Sequence, residues 1–368
     1  MAEYQKPLPK IYKDLKTPDL IDRVNKAKKT LGDELVLLAH HYQRPEIVEI
    51  SDMRGDSLKL AQYSANQKKS IFTVFCGVYF MAETADILKQ KESQTIILPD
   101  LGAGCDLADA ATIDDVVFAW DSLVETLGHE SIMPITYINS TASLKSFVGQ
   151  KEGTVCTSSN AKKIIQWALD NKKVLFFFPD QHLGRNTCKQ LGINKSKMAV
   201  WDPKKELGGL TKEECQNAQV FLWKGHCPVH MMFTSKQIDN LLEKDPSFKI
   251  IAHPECGEDV VEKSHYSGST EFIVNTIKDS PSGSKWAVGT ELNLVNRIAK
   301  ENPNKKVVSI NPFMCLCGTM NRIDLPHLAW SLDCIVEKNP QNIIKVEEPE
   351  RIYAKDALER MLKLSQSL

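Results

Sequence analysis

The chain has 368 residues, 42% of them hydrophobic and 25% charged, enough for two or three ordinary globular cores. A formal charge of −1 and a pI near 6.8 give no field for nucleic acid or an anionic membrane, so small anions would be met by local basic groups or helix N-termini. The first residues, MAEYQKPLPKIYKDLK, carry no apolar signal core, and no apolar run approaches a membrane span. The expectation is a soluble, unexported, cytoplasmic protein with free or metal-bound thiols among its ten cysteines.

In chain order, Leu35–Ala39 (LVLLA) reads as a strand ending in His40-His41-Tyr42. Helical patterning over Ile47–Asn66 follows, then strand candidates at Ser70–Phe75 and Thr95–Leu98, then Cys105 behind the glycines of LGAG. A second series opens with Met133–Thr136 and the signature Tyr137-Ile138-Asn139-Ser140. It continues through a strand at Gly153–Cys156, a helix at Ala161–Asp170 and a strand at Val174–Phe178 to Cys227 in GHCPVH. The third, after a helix at Gln237–Glu243, begins at Lys249–Ala252 and ends in His253-Pro254-Glu255. Its next strand is read at Glu271–Val274 or Trp286–Val288, another at Val307–Ile310, and Cys317 closes it.

Strand–helix alternation of this kind predicts parallel sheets flanked by helices, with ligands gathered outside the carboxyl ends of the strands. His40 to Cys105, Tyr137 to Cys227 and His253 to Cys317 span 65, 90 and 64 residues. The pattern reads as a triplicated α/β unit with one cysteine per unit; the competing reading is a coincidence of strand ends in an ordinary α/β protein. The expected domains are 1–108, 109–232 and 233–344. The amphipathic helix at about 345–368 is expected to dock on the first.

The three cysteines lie 122 and 90 residues apart, too far for a local metal finger. Three thiolates on a cubic iron–sulfur cluster would leave one iron without a protein ligand, a Lewis acid open to a substrate oxygen. Zinc held by the same cysteines and a histidine is the rival, although the chain has no CxxC pair. Cys76 and Cys334 fit plain core positions. Cys315 stands two residues before Cys317, and the residues alone do not choose between them.

Taken in order, LAHHYQRPEI, GDSLKLA, FCGVYFMAETADIL, LPDLGAGCDLADA, TYINSTA, VCTSSNA, FFPDQHLGRN, WKGHCPVH, IAHPEC, GST and the Cys317–Met320 run resemble the quinolinate synthase family. The resemblance implies three pseudo-threefold-related, Rossmann-like αβα domains with parallel sheets around a central [4Fe–4S] site. It implies condensation of iminoaspartate with dihydroxyacetone phosphate to quinolinate, phosphate and water in NAD biosynthesis, with no nicotinamide or ATP. It also implies transient coupling to an L-aspartate oxidase or dehydrogenase. Cys105, Cys227 and Cys317 become the cluster ligands, since the family's third ligand stands three residues before a methionine. Cys256 is read as a non-ligand near the site.

His40 and Tyr42, Tyr137 and Asn139, and His253 and Glu255 each stand at i and i+2, on one face of an extended strand end. Glu255 is read as general base with His230 as its partner, and the resemblance implies that His40 and Tyr42 enter the site, Tyr42 as a proton donor or acceptor. His40, Tyr137, Asn139 and His253 are read as substrate-binding. Ser57, Ser158, Ser269 and Thr270 open helices, where backbone N–H groups favour anions, although the same residues serve as ordinary caps.

Overall fold

The computed structural model describes residues 5–366. β1 (Leu35–His40) is buried at every position, as a parallel strand flanked by helices must be. β2 (Met53–Gly55), β3 (Phe72–Cys76) and β4 (Thr95–Ile97) join it in the order β4-β3-β1-β2, all parallel. The second sheet holds β5 (Ile132–Tyr137), β6 (Thr154–Cys156), β7 (Val174–Phe178), β8 (Met198–Trp201) and β9 (Val220–Trp223), in the parallel order β6-β5-β7-β9-β8. The third holds β10 (Phe248–Ala252), β11 (Tyr266–Ser267), β12 (Lys285–Gly289) and β13 (Lys306–Ser309), ordered β11-β10-β12-β13. β14 (Ile343–Ile344) returns antiparallel to β4. The α/β class with parallel sheets is thus as the sequence implied.

Each sheet follows one plan. Its first strand lies between a short second strand and the third, and a fourth lies outside the third. The cysteine comes after that fourth strand. Three residues past Cys105, Cys227 and Cys317 a 3₁₀ turn begins, at Ala108, His230 and Met320. Seven residues past each stands the N-cap of the next helix, Thr112, Thr234 or Asp324, whose side chain accepts from the backbone N–H three residues on. The excess length of the middle unit is β8 with its 3₁₀ turn Glu206–Gly209 and the helix Lys212–Asn217.

Some local expectations are corrected. Ile47–Asn66 is not one helix: β2 separates Pro45–Ile50 from Ser57–Ala65, because Asp52 turns back to accept the Leu37 N–H beside β1. Glu271–Val274 lies inside the helix Thr270–Lys278, capped by Ser269, and the strand is the Trp286 segment. Val174–Phe178 is the third strand of the middle unit, as read, and the fourth is β9, which the sequence reading did not include.

The chain divides into two compact units. One contains 1–105, 292–294 and 315–347 with the first sheet; the other contains 106–291, 295–314 and 348–368 with the second and third sheets. The terminal helix Glu350–Gln366 belongs to the latter. It packs on the helix Ala142–Gln150 and on β6, where Thr154 Oγ1 donates to Ala357 O at 2.8 Å, and not on the first sheet. The reason is close approach: Gly149 leaves room for the backbone of Tyr353, and a Cβ there would overlap the Tyr353 carbonyl oxygen.

Gly149→Ala tests that contact. Helix propensity alone would favour alanine by about 1 kcal/mol. The overlap is with backbone, so overpacking, typically about 1–3 kcal/mol, decides the sign. The variant is expected to melt several degrees lower; an unchanged or raised Tm contradicts this packing.

Candidate active site

In the unit built on the second and third sheets, the carboxyl ends of four strands supply one buried cluster. β5 ends at Tyr137, and β10 is followed by His253 and Glu255. His230 opens the 3₁₀ turn beyond β9, and Thr290 follows β12. Tyr137 donates from its hydroxyl to Glu255 Oε1 at 2.6 Å. His230 Nδ1 lies 2.9 Å from Glu255 Oε2, a close ionic approach without a linear hydrogen bond. His230 Nε2 lies 3.3 Å from Thr290 Oγ1, and the His230 and His253 rings stack with centroids 4.8 Å apart.

Burial opposes the charge on Glu255. The neighbouring His230 and His253 and the hydrogen bond from Tyr137 outweigh it and hold the carboxyl down at about 2. His253, stripped of water, is pushed down to about 3 despite the attraction of Glu255, so it is neutral near pH 7. Its Nδ1 accepts the Glu255 N–H at 3.4 Å. Asp180 goes the other way: burial and the charge of Glu255 push its carboxyl well above the usual range, against the two backbone N–H groups of His182 and Leu183 that Oδ1 accepts. Two buried carboxyls whose proton affinities are pushed in opposite directions are the raw material of acid–base chemistry.

Pro254, Ser158 and Ser269 line one cavity of about 360 Å³, together with Lys162. Ser269 Oγ caps its helix by accepting from Phe272 N–H, Thr270 is buried, and Asn139 is half-buried just beyond β5. In the unit built on the first sheet, His40 and Tyr42 sit edge to face at 4.9 Å, and Tyr42 N–H donates to His40 Nδ1 at 3.2 Å. Ser57 is buried in the first turn of its helix, while Asp56 does the capping.

The thiols divide by environment. Cys105, Cys227 and Cys317 are half-exposed; Cys315 is exposed; the other six are buried. Burial pushes Cys188 up to about 12 and Cys334 up to about 11. Cys256 is raised too, by burial and then by Glu255, and donates its S–H to Gly289 O. Such groups are poor ligands. The accessible thiols Cys105, Cys227 and Cys317 fit an iron–sulfur group by donor chemistry.

Side-chain ties hold the cysteine loops within each unit. Arg322, in the turn after Cys317, reaches Asp100 Oδ2 at 2.9 Å across Gly102, where a Cβ would collide with the guanidinium. The same turn is held to the end of β1: Gln43 Nε2 donates to Met320 O, and Arg44 donates to Asn321 O from Nε and Nη2 at 3.0 and 2.7 Å. In the other unit, Trp223 Nε1 donates to Ala110 O at 2.7 Å, and Gly225 packs where a side chain would meet Pro179 and Ala110.

Asp180, Asn186, Thr290 and Lys145 were not singled out from sequence. Asn186, in the motif FFPDQHLGRN, donates from Nδ2 to both Pro254 O and Cys256 O at 2.9 Å, pinning the turn that carries Glu255. Lys145 is fully buried and donates to Ser140 O just past β5. A polar pair directly after an apolar strand was the available signal for Asp180. Asn186 had none, since its partners are carbonyls distant in sequence.

The family described as "Quinolinate synthetase A protein" matches residues 22–363. A curated quinolinate synthase of Halalkalibacterium halodurans is 51% identical over 360 residues, 98% of this chain and 97% of that protein. One from Listeria innocua is 52% identical over 365 residues, 98% of each, and one from Bacillus anthracis 50% over 358 residues, 96% of each.

Asn186→Ala is expected to leave two buried carbonyls without that donor, at about 1–3 kcal/mol each. The Tm falls, and turnover falls further than stability explains, because Glu255 is no longer held. Wild-type turnover at a temperature where the variant is fully folded would refute the clamp.

Proposed function

The chain belongs to the quinolinate synthase family, and from that premise we propose that it condenses iminoaspartate with dihydroxyacetone phosphate. The products are quinolinate, phosphate and water, in the de novo route to NAD. The observation that carries the proposal is the ionised, buried Glu255 held between the Tyr137 hydroxyl and His230, beside the accessible thiol of Cys227.

The reaction joins two small molecules, expels phosphate and dehydrates to an aromatic ring, so protons must leave carbon and reach departing hydroxyls. Glu255 is the base: a carboxylate kept charged away from water takes a proton without first shedding a hydration shell. His230, in contact with Oε2, receives or returns that proton, and the neutral His253 keeps its partner's ring in place by stacking. Tyr137 fixes the Oε1 edge and, with Asn139, orients a substrate carboxylate. His40 and Tyr42 serve the same ends from the first sheet, Tyr42 as proton donor or acceptor. Ser57, Ser158, Ser269 and Thr270 hold phosphate and carboxylate oxygens at helix starts.

Cys105, Cys227 and Cys317 are proposed to hold one [4Fe–4S] cluster, with Cys315 and Cys256 outside the ligand set. When bound, the cluster would supply a Lewis-acidic iron to polarise a substrate oxygen. The repeated cysteine–turn–cap segment supports this reading, because it gives three thiols one local geometry. We also propose three domains, 1–108, 109–232 and 233–344, with β14 completing the sheet of the first and the terminal helix attaching to the second. No helix among the described residues is long and apolar enough to cross a membrane. Action in the cytoplasm, where thiols stay reduced, follows as a proposal. So does direct supply of the hydrolysable imine by an L-aspartate oxidase or dehydrogenase.

Two experiments test this. Anaerobically prepared Cys105→Ala, Cys227→Ala and Cys317→Ala should lose the brown chromophore or the activity, whereas Cys315→Ala retains both. Loss of the chromophore in Cys315→Ala would place the third ligand there instead. Glu255→Gln, which keeps size and can still accept from Tyr137, should keep iron and sulfide content while turnover drops about 10²–10⁴-fold. Turnover within twofold of wild type removes Glu255 from the chemistry.

A further inference from the structure

Cys227, His230 and Glu255 each present a donor atom within 4.8 Å of the other two. The pairing of His230 Nδ1 with Glu255 Oε2 is unusual in detail. The nitrogen is buried and 2.9 Å from the carboxylate oxygen, yet no linear hydrogen bond joins them. Two donors roughly 3 Å apart that do not bond to each other are placed as ligands of one ion are, given metal–ligand bonds of about 2.0–2.2 Å.

The outer atoms of both groups are engaged elsewhere. His230 Nε2 lies 3.3 Å from the hydroxyl of the fully buried Thr290, which leaves Nδ1 as the atom turned toward Glu255. Glu255 Oε1 accepts from Tyr137, which leaves Oε2. Partners on the far atoms are what orient imidazole and carboxylate ligands in metal sites. Cys227 and His230 are joined by a two-residue spacer, and Met231 N–H donates to Cys227 O at 3.2 Å, so the thiol and the ring share one tight turn. His253 stacks on the His230 ring and its Nδ1 accepts the Glu255 N–H, but its donor atoms fall outside the three-residue group.

We propose that the cluster-free chain binds one divalent ion of the zinc class at Cys227, His230 and Glu255, with the fourth coordination position open. Binding forms metal–sulfur, metal–nitrogen and metal–oxygen bonds, releases the thiol proton and any proton on His230 Nδ1 to solvent, and leaves thiolate plus carboxylate to balance the ion's two charges. Cys227 is the only protein atom source shared with the proposed cluster, so the two forms exclude each other. Zinc that arrives before the cluster therefore blocks its assembly. The inference rests on this three-residue geometry and not on the proposed reaction.

The test is titration of the metal-free full-length chain with Co²⁺ under anaerobic, reducing conditions. Expected are one Co²⁺ per chain, visible bands of four-coordinate strength, a sulfur-to-cobalt band in the near ultraviolet, and displacement by Zn²⁺. Cys227→Ala loses the sulfur band. Glu255→Gln binds at least about tenfold more weakly, and Thr290→Val about 10–100-fold more weakly with stoichiometry kept. Cys105→Ala and Cys317→Ala, which cannot carry the cluster, bind Co²⁺ as wild type does. Circular dichroism checks that each variant is folded. The proposal is overturned if the sulfur band survives Cys227→Ala, disappears in Cys105→Ala or Cys317→Ala, or never forms in folded wild-type chain. Absence of quinolinate synthesis by clustered enzyme would defeat the functional reading and leave the Co²⁺ result untouched.

Discussion

A carboxylate removed from water keeps its charge only where neighbours replace the lost hydration, and Glu255 is in that position. One of its oxygens takes the Tyr137 hydroxyl and the other faces His230, while the backbone on either side is held by Asn186. Breaking any of these would leave a buried charge under-compensated. The constraint reaches outward: β5, β9, β10 and β12 must end at compatible depths for Tyr137, His230, Glu255 and Thr290 to meet. A parallel sheet meets that demand readily, because its strands all finish on the same edge.

The cysteines obey a second constraint. Cys105, Cys227 and Cys317 share a local device, a 3₁₀ turn three residues on and a capped helix seven residues on. Such a device gives the backbone after each cysteine one repeated form. Long-range ties then place the loops. Arg322 to Asp100 does this in one unit, and Trp223 to Ala110 in the other. Glycines stand where these ties bring chains too close for a side chain, at Gly102 and Gly225.

Protonation separates the groups further. Asp180 and Glu255 are both buried carboxyls. Glu255 has histidines for company and is charged, whereas burial and then the charge of Glu255 push the Asp180 carboxyl well above its usual range. The same logic sorts the thiols. Those enclosed by apolar packing, such as Cys188, are kept as thiols, and the accessible set is the one that chemistry can use.

The sequence by itself determined the α/β class, the strands β1, β5, β7 and β10, and the placing of His40, Tyr137, His253 and Glu255 at strand ends. Continuous apolar runs that stop at a polar signature are local signals, and a buried parallel strand writes them directly. The short strands β2 (MRG) and β11 (YS) left no such trace because they carry no apolar run, unlike the similarly short β4 and β6. The C-x₆-T, C-x₆-T and C-x₆-D spacings took on meaning only with the structure, which places a helix N-cap seven residues past each cysteine. Only the tertiary structure decided that the terminal helix lies on Ala142–Gln150, since Gly149 matters through a backbone far along the chain. It alone brought Asn186, Thr290 and Asp180 to Glu255, because burial, charge and a hydrogen bond between distant segments depend on distances that a linear string does not contain.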